Sequence, residues 1–221
     1  MLLLRKIISV ITPSVCISCG DEGSLFCTAC CESEIVLAAS TCYSCGQISE
    51  NFMTCQKCRQ TSPLRHVWVV TKYKGLAKDL IGELKFDSRR DAAEPIAELC
   101  LSILPLLDNY IVTHLPTSSS HIRQRGFDQA KLIARLLARG RYRYTPLLRR
   151  TKKIHQIGAS KAIRKKHLAG AFIAINRYMI KNSKILIVDD VATTAASLEE
   201  CARTLKKAGA KEVSAVVFAR T

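Results

Sequence analysis

Residues 184–210, KILIVDDVATTAASLEECARTLKKAGA, constrain the fold more than any other stretch of the chain. Ile185, Leu186, Ile187 and Val188 form an unbroken apolar run of strand length, the pattern of a parallel strand buried on both faces. Asp189 and Asp190 follow where that strand is expected to end. Small and hydroxyl residues come next, from Val191 and Ala192 through Thr193, Thr194, Ala195 and Ala196 to Ser197. They lead into an amphipathic run with Leu198, Cys201, Ala202 and Leu205 on one face, and Gly209 is the expected residue just past its end. Strand, small-residue loop and helix start together make an anion cradle, because the first N–H groups of a helix lack partners and point outward. A buried strand and a helix that bind nothing are the plain alternative.

Two acids directly before a phosphate cradle would repel a ligand that is phosphate alone. They suit a ligand with a sugar between its charged groups, whose hydroxyls they accept or whose metal-bound water they hold. VDDVATTAAS resembles the phosphoribosyl pyrophosphate (PRPP) motif of type I phosphoribosyltransferases. The resemblance implies that Asp189 and Asp190 serve catalysis by holding ribose hydroxyls or Mg²⁺-bound water. It implies that Val191, Ala192, Thr193, Thr194, Ala195, Ala196 and Ser197 complete the PRPP site, with the 5′-phosphate on backbone amides. Mg²⁺ is implied as well, since two acids and a tetra-anionic ligand otherwise repel. Ala195 stands where that family usually has Gly; a positive φ there would cost Ala roughly 1 kcal/mol, and its methyl could crowd the phosphate.

The cysteines organise the other end. Eight of the eleven form four C-x-x-C pairs: Cys16/Cys19, Cys27/Cys30, Cys42/Cys45 and Cys55/Cys58. In a reducing compartment such pairs read as zinc knuckles, two of which complete one tetrahedral, closed and therefore structural Cys₄ site. Pairing in order gives one zinc from the first two knuckles and one from the last two, and the sequence does not exclude a crossed arrangement. Cys31 is a competing ligand disfavoured by the spacing, while Cys100 and Cys201 fall on apolar helical faces as core thiols. Without metal this stretch has too few large apolar residues for a core of its own.

The formal charge is +16, and residues 123–184 hold eighteen basic residues against the single acid Asp128. Such a field suits pyrophosphate or a nucleic-acid backbone, or else is a solvated basic surface. Arg123, Arg125, Lys152, Lys153, Arg164 and Lys165 are candidates for meeting phosphate, the last four in a segment, 149–167, expected to close over pyrophosphate. A track for single-stranded DNA would need aromatic partners, and only Tyr142 and Tyr144 lie nearby. No apolar run reaches the roughly 18 residues that span a bilayer. Residues 1–11 read as an amphipathic helix packed on the main domain, and with no export signal the expected location is the cytoplasm.

Between these ends, Val67–Tyr73 and Ile111–Leu115 read as strands, and helical patterns start at Leu76, Ala92 and Ala130. Thr117–Ser120 and the basic turn Arg123–Gln129 form a second anion-friendly loop beyond a strand. The ordered set Tyr73-Lys74-Gly75, Leu84-Lys85-Phe86, Pro116, Arg123, Arg125-Gly126-Phe127, Gln129, Gln156, Arg164 and Asp189–Ser197 is similar to the ComF family. That family joins a cysteine-rich zinc module to a phosphoribosyltransferase-like domain. The resemblance implies an α/β chain: a double zinc ribbon over residues 1–62 and a parallel-sheet domain over 63–221. It also implies PRPP as ligand, single-stranded DNA and competence helicase or DNA-processing proteins as partners, and a role in DNA uptake. A nucleobase-salvage transferase and a non-catalytic nucleic-acid binder are the competing functions. Asp128, Gly158 and His167 depart from the family's usual Asn, Leu and Asn.

Overall fold

The computed structural model describes residues 15–86, 89–151 and 169–221. The expected N-terminal helix, Lys152, Lys153, His155, Gln156, Gly158, Arg164, Lys165 and His167 lie outside the described residues. In chain order the elements are α1 (Thr28–Glu34), α2 (Gln56–Arg59), β1 (Val67–Lys72), α3 (Leu76–Lys85), α4 (Ala93–Ser102) and β2 (Tyr110–His114). Then come α5 (Ser119–Arg125), α6 (Gln129–Ala138), β3 (Arg143–Tyr144), β4 (Leu148–Arg150) and β5 (Phe172–Ala174). The chain closes with α7 (Arg177–Ile180), β6 (Lys184–Ala192), α8 (Ala196–Lys207) and β7 (Glu212–Arg220).

Five strands form one sheet in the order β1-β7-β6-β2-β3, with every pairing parallel. Parallel strands need crossovers, and the crossover helices cover both faces. Helices α3, α4 and α6 bury Leu80, Ile81, Ile96 and Ile133 on one face, against Leu186, Val188, Val216 and Phe218. Helix α8 buries Leu198, Cys201, Ala202 and Leu205 on the other, against Ile185, Ile187, Ala215 and Val217. Alternate residues of β6 and β7 thus feed opposite cores, which is why both strands read as continuous apolar runs rather than alternating ones. Cys100 and Cys201 are fully buried core thiols, as their apolar faces imply. The antiparallel ribbon β4–β5 stands apart from the main sheet.

The structure redraws two boundaries. Strand β6 continues through Asp189 and Asp190 to Ala192, because its pairing with β7 persists to Ala192 opposite Arg220. The basic stretch before Gly126 is the short helix α5, capped at its start by Ser118 and stopped by Gly126 in the left-handed region at φ 76°. A strand-to-helix loop was expected there, but the serines supply an N-cap and so start a helix early.

The cysteine-rich segment packs directly on the sheet. Leu25, Phe26 and Ile35 join the core under α3, α4 and α6, whereas Tyr43 and Leu64 join the one under α8. The connector between the two cysteine clusters crosses the outer edge of β1: Ala38 N–H donates to Val70 O at 2.8 Å, and Thr71 Oγ1 donates to Val36 O at 2.7 Å. An open strand edge invites pairing with other chains, and this connector occupies it. Thr71→Val should remove one buried hydrogen bond at the edge and destabilise the protein by about 1 kcal/mol in urea unfolding. Zinc content should not change, since no cysteine is touched.

Candidate functional site

Helix α6, which follows β2, lies on one face of the sheet, and α8, which follows β6, lies on the other. Strands β2 and β6 are neighbours, so their connections part in opposite directions and leave a crevice beyond their carboxyl ends. Ligands of open parallel sheets bind at such a switch point. Here the crevice is flanked by Leu115–Ser118 after β2 and by Asp189–Ala195 after the apolar part of β6.

Thr193, Thr194 and Ala195 form the bend between β6 and α8, with both threonines exposed. Ala195 is the N-cap of α8 at φ 55°, ψ 5°, and no side chain caps that helix. A twelve-residue helix that starts on alanine leaves its first N–H groups without the usual Ser, Thr, Asp or Asn acceptor. The positive φ is the one that glycine would adopt freely. Ala195 is only 6% exposed and belongs to the core under α8, so its methyl packs inward rather than over the amides.

The pleat of β6 sends its two acids to opposite faces. Asp190, 5% exposed, pairs with Lys85 Nζ at 2.6 Å across the α3 side. The field of Asp189 reaches the Cys201 thiol of α8, which together with burial raises that thiol's pKa. Burial raises the Asp189 carboxyl well above the ordinary carboxylate range, and the neighbouring Asp190 charge adds to the rise. Lys85 opposes this shift but is engaged by Asp190. Lys85 stands at the end of α3, where its sequence position gives no hint of a partner more than a hundred residues away. The only sequence signal was its place in the Leu84-Lys85-Phe86 set.

A cavity of about 620 Å³ opens beyond β2. Its floor holds His114 and Asp128, and its rim carries Arg90, Lys131, Arg135, Arg149 and Arg150. Asp128 accepts from Thr117 Oγ1–H at 3.1 Å, Thr117 N–H at 3.2 Å and Lys131 N–H at 3.1 Å, so it fixes the loop and caps α6. An Asn would offer one carboxamide oxygen for those three donors, which accounts for Asp at this position here. Burial lowers the His114 pKa despite the Asp128 charge, which favours the neutral ring that Tyr144 meets at 3.0 Å. Burial lowers the His121 pKa, and the fields of Arg125, Arg150 and Lys85 lower it further. Arg123 and Arg125 sit in the last turn of α5, Arg125 over the Phe86 ring at 5.8 Å. The cavity rim is drawn from α4's approach, α6 and β4 instead, which sequence order does not reveal.

The cysteines gather in sequential order, Cys16, Cys19, Cys27 and Cys30 in one group and Cys42, Cys45, Cys55 and Cys58 in the other. Crossed pairing is thereby excluded. Within each group the ligand atoms lie within 4.8 Å of one another, and Sγ–Sγ separations of 3.7 Å join Cys19 to Cys27 and Cys45 to Cys55. A tetrahedron with Zn–S bonds of about 2.3 Å has edges of about 3.8 Å, so both groups fit zinc. Burial would raise the Cys16 and Cys42 thiols, but backbone N–H donors, including those of Cys27 and Cys55, outweigh it and bring each down to about 6. Cys31 stays outside the cluster. Among the described residues no helix is long and apolar enough to cross a membrane.

Comparison with known proteins finds a family model, "Phosphoribosyl transferase domain", matching residues 122–221. The chain is 28% identical over 194 residues to the DNA utilization protein YhgH of Escherichia coli O6:H1, covering 81% of this chain and 84% of that protein. It is 24% identical over 215 residues to the competence protein ComFC of Streptococcus pneumoniae, covering 96% and 95%. Glutamine PRPP amidotransferase from B. subtilis, solved with ADP and GMP, aligns at TM-score 0.41 and 20% identity over 62% of this chain and 30% of that one.

Two outcomes test the site. The purified chain should carry two zinc equivalents by colorimetric release, and Cys55→Ser should carry about one, because the first cluster is complete without it. Lys85→Met should leave Asp190 buried without its cation and destabilise the fold by about 3 kcal/mol, most of it recovered in Lys85→Met/Asp190→Asn. Chemical denaturation of the four proteins reads this coupling directly.

Proposed function

Because the chain fits the ComF family in its relatives, its phosphoribosyltransferase domain and its paired cysteine clusters, we propose that it binds PRPP with Mg²⁺ at the crevice beyond β2 and β6. The single observation that carries the reading is the uncapped start of α8 beside Asp189 and Asp190 at the topological switch point. The 5′-phosphate rests on the amides that follow Ala195, with the Thr193 and Thr194 hydroxyls as further donors. Ribose hydroxyls face Asp189 and Asp190. Pyrophosphate lies toward the cavity rimmed by Arg90, Arg149 and Arg150, where the positive field offsets its charge.

The residues fit Mg²⁺. Oxygen donors are what this ion takes, and Asp189 offers a half-buried carboxyl at the crevice while Lys85 pairs with Asp190 at 2.6 Å. Asp189 would hold the ion through water, and the ion would supply charge neutralisation to the leaving pyrophosphate. Lys85 holds Asp190 in place as an oriented acceptor for a sugar hydroxyl. His114 and Tyr144 hold the wall of the crevice in place rather than meeting the ligand.

The biological reading is DNA uptake in the cytoplasm, acting on single-stranded DNA. It is supported by relatives named for DNA utilization and competence, and by the concentration of basic residues in 123–184. Binding of a single-stranded oligonucleotide should weaken steeply with added salt, as counterion release requires.

Calorimetry with PRPP and Mg²⁺ tests the core of the reading. Asp189→Asn should bind at least about tenfold more weakly than the wild type, the scale of a lost charged hydrogen bond. Ala195→Gly should bind within about twofold of the wild type, because the methyl already points away from the amides. Equal affinity in wild type and Asp189→Asn would remove PRPP from this site.

A further inference from the structure

We infer that a pocket at the amino ends of the sheet, where the second cysteine cluster meets the connection between α8 and β7, binds a compact oxyanion of the phosphate class. The inference is separate from the PRPP reading and concerns the opposite end of the molecule. The pocket measures about 280 Å³ and is lined by the stretch from Arg59 to Arg65, by Lys206 of α8 and by the start of β7. That volume lies just under the range of about 300–1,000 Å³ usual for small-molecule sites, so it suits a compact ion better than a nucleotide. Glu212 and Lys184 are register partners at the starts of β7 and β6. The length of β6, about 25 Å for a strand from Lys184 to Ala192, therefore separates the pocket from the loop before α8.

Four cations line the pocket: Arg59, Arg65, Lys206 and Lys211. Arg59 directly follows the ligand Cys58, Arg65 leads into β1, and the two lysines flank the turn between α8 and β7. Among the described residues none of the four forms an ion pair. Glu212 is the one acid in the lining, and its carboxylate already accepts from the Tyr110 hydroxyl. Arg59 and Arg65 are half-buried. A guanidinium withdrawn from water with no carboxylate beside it is costly, and an anion in the pocket removes that cost.

Lysines at a helix carboxyl end ordinarily serve that helix's own dipole. Lys206 instead reaches past α8, where its Nζ donates to Lys211 O at 2.7 Å, and this spends one of its three donors. Arg59 Nη2 donates to Thr54 O at 3.3 Å, while its Nε–H is buried without a partner. Arg65 is anchored through its backbone, donating N–H to Val213 O at 2.8 Å, so its side chain is free of any structural bond in the seam. The protein thus holds four cations at one pocket and leaves much of their donor capacity unspent. A carboxylate offers two oxygens in one plane. A tetrahedral phosphate carries up to two charges and turns oxygens in several directions, which matches cations arriving from three parts of the chain, two of them forked guanidiniums.

Titrating inorganic phosphate into the full zinc-loaded chain, with backbone amides followed by NMR and chloride at equal ionic strength as the control, tests this. The Arg65, Glu212 and Val213 amides should shift together along one saturating curve. Arg59→Gln should weaken that binding by at least about tenfold, the scale of a lost charged hydrogen bond. Arg59→Lys should fall between the two, since it keeps the charge and loses the fork. Lys211→Gln, an exposed change that leaves the cysteine knuckle alone, should also weaken it, while PRPP affinity stays within about twofold. Two zinc equivalents in each variant show that it is folded. Amides that drift with phosphate as they do with chloride mean an adventitious ion only and overturn the inference. Shifts confined to Thr194 and Ala196 put the phosphate in the crevice, which overturns the inference and favours the PRPP reading. A loss of PRPP affinity in Lys211→Gln denies a separate pocket and overturns it as well. So does a single-stranded oligonucleotide that needs Arg59 while phosphate binds nowhere near it, since the contact is then one of a polymer surface.

Discussion

The pleat of β6 sets the character of this site. Two adjacent acids on a strand must face opposite sides of the sheet, so they enter different environments despite being neighbours in sequence. Asp190 falls on the side of α3 and is matched by Lys85 at 2.6 Å. Asp189 falls toward α8, among buried neighbours, and its carboxyl is pushed well above the ordinary carboxylate range. The carboxylates therefore differ in surroundings: Asp190 has Lys85 against it at 2.6 Å, whereas Asp189 is raised by burial and by the Asp190 charge, with Lys85 opposing.

The cysteine module is bound up with that strand through the edge of the sheet. Each four-cysteine group packs beside a different face, and the connector between them runs along β1. A module this small lacks the apolar mass to fold without help, and the sheet has an edge that needs covering. Each deficiency is met by the other, and the two four-cysteine groups, which fit zinc, flank the connector on either side. The boundary drawn at residues 62 and 63 marks a change of composition, while the cores run across it through Leu25, Phe26, Tyr43 and Leu64.

Much of this was legible in sequence because the signals are local. The apolar run before Asp189, the helix of Leu198 to Leu205 and the four C-x-x-C knuckles each depend on residues a few positions apart, whereas which knuckles share a site became clear only in the fold. The positive φ at Ala195 was signalled only by the resemblance, whose usual residue there is Gly, since a helix N-cap ordinarily takes an extended conformation. What sequence could not show is what distant elements bring together. Lys85 meets Asp190, and Arg90 meets Gly126 O and the Phe127 ring, only through the order β1-β7-β6-β2-β3. The basic turn before Gly126 misled for a local reason: Ser118 capped a helix where only a loop was expected.

The Lys85–Asp190 pair bears on why the site takes this form. A buried ion pair is often no more stabilising than apolar side chains of the same volume, because desolvation offsets the Coulomb attraction. Stability alone would therefore favour a leucine and a methionine at these two positions, which face a core that already holds Leu84 and Val188. Retaining charge at the end of the strand instead keeps a carboxyl group held by Lys85 near the start of α8, whose first amides carry the positive end of the helix dipole. Lysine at the last turn of α3 also sits favourably against that helix's own carboxyl-terminal dipole, which lowers the cost of holding it there. The arrangement trades folding free energy for a preset electrostatic pattern, positive amides on one side and an oriented carboxylate on the other. A sugar phosphate fits such a pattern because its hydroxyls and its phosphate require opposite partners a few ångströms apart.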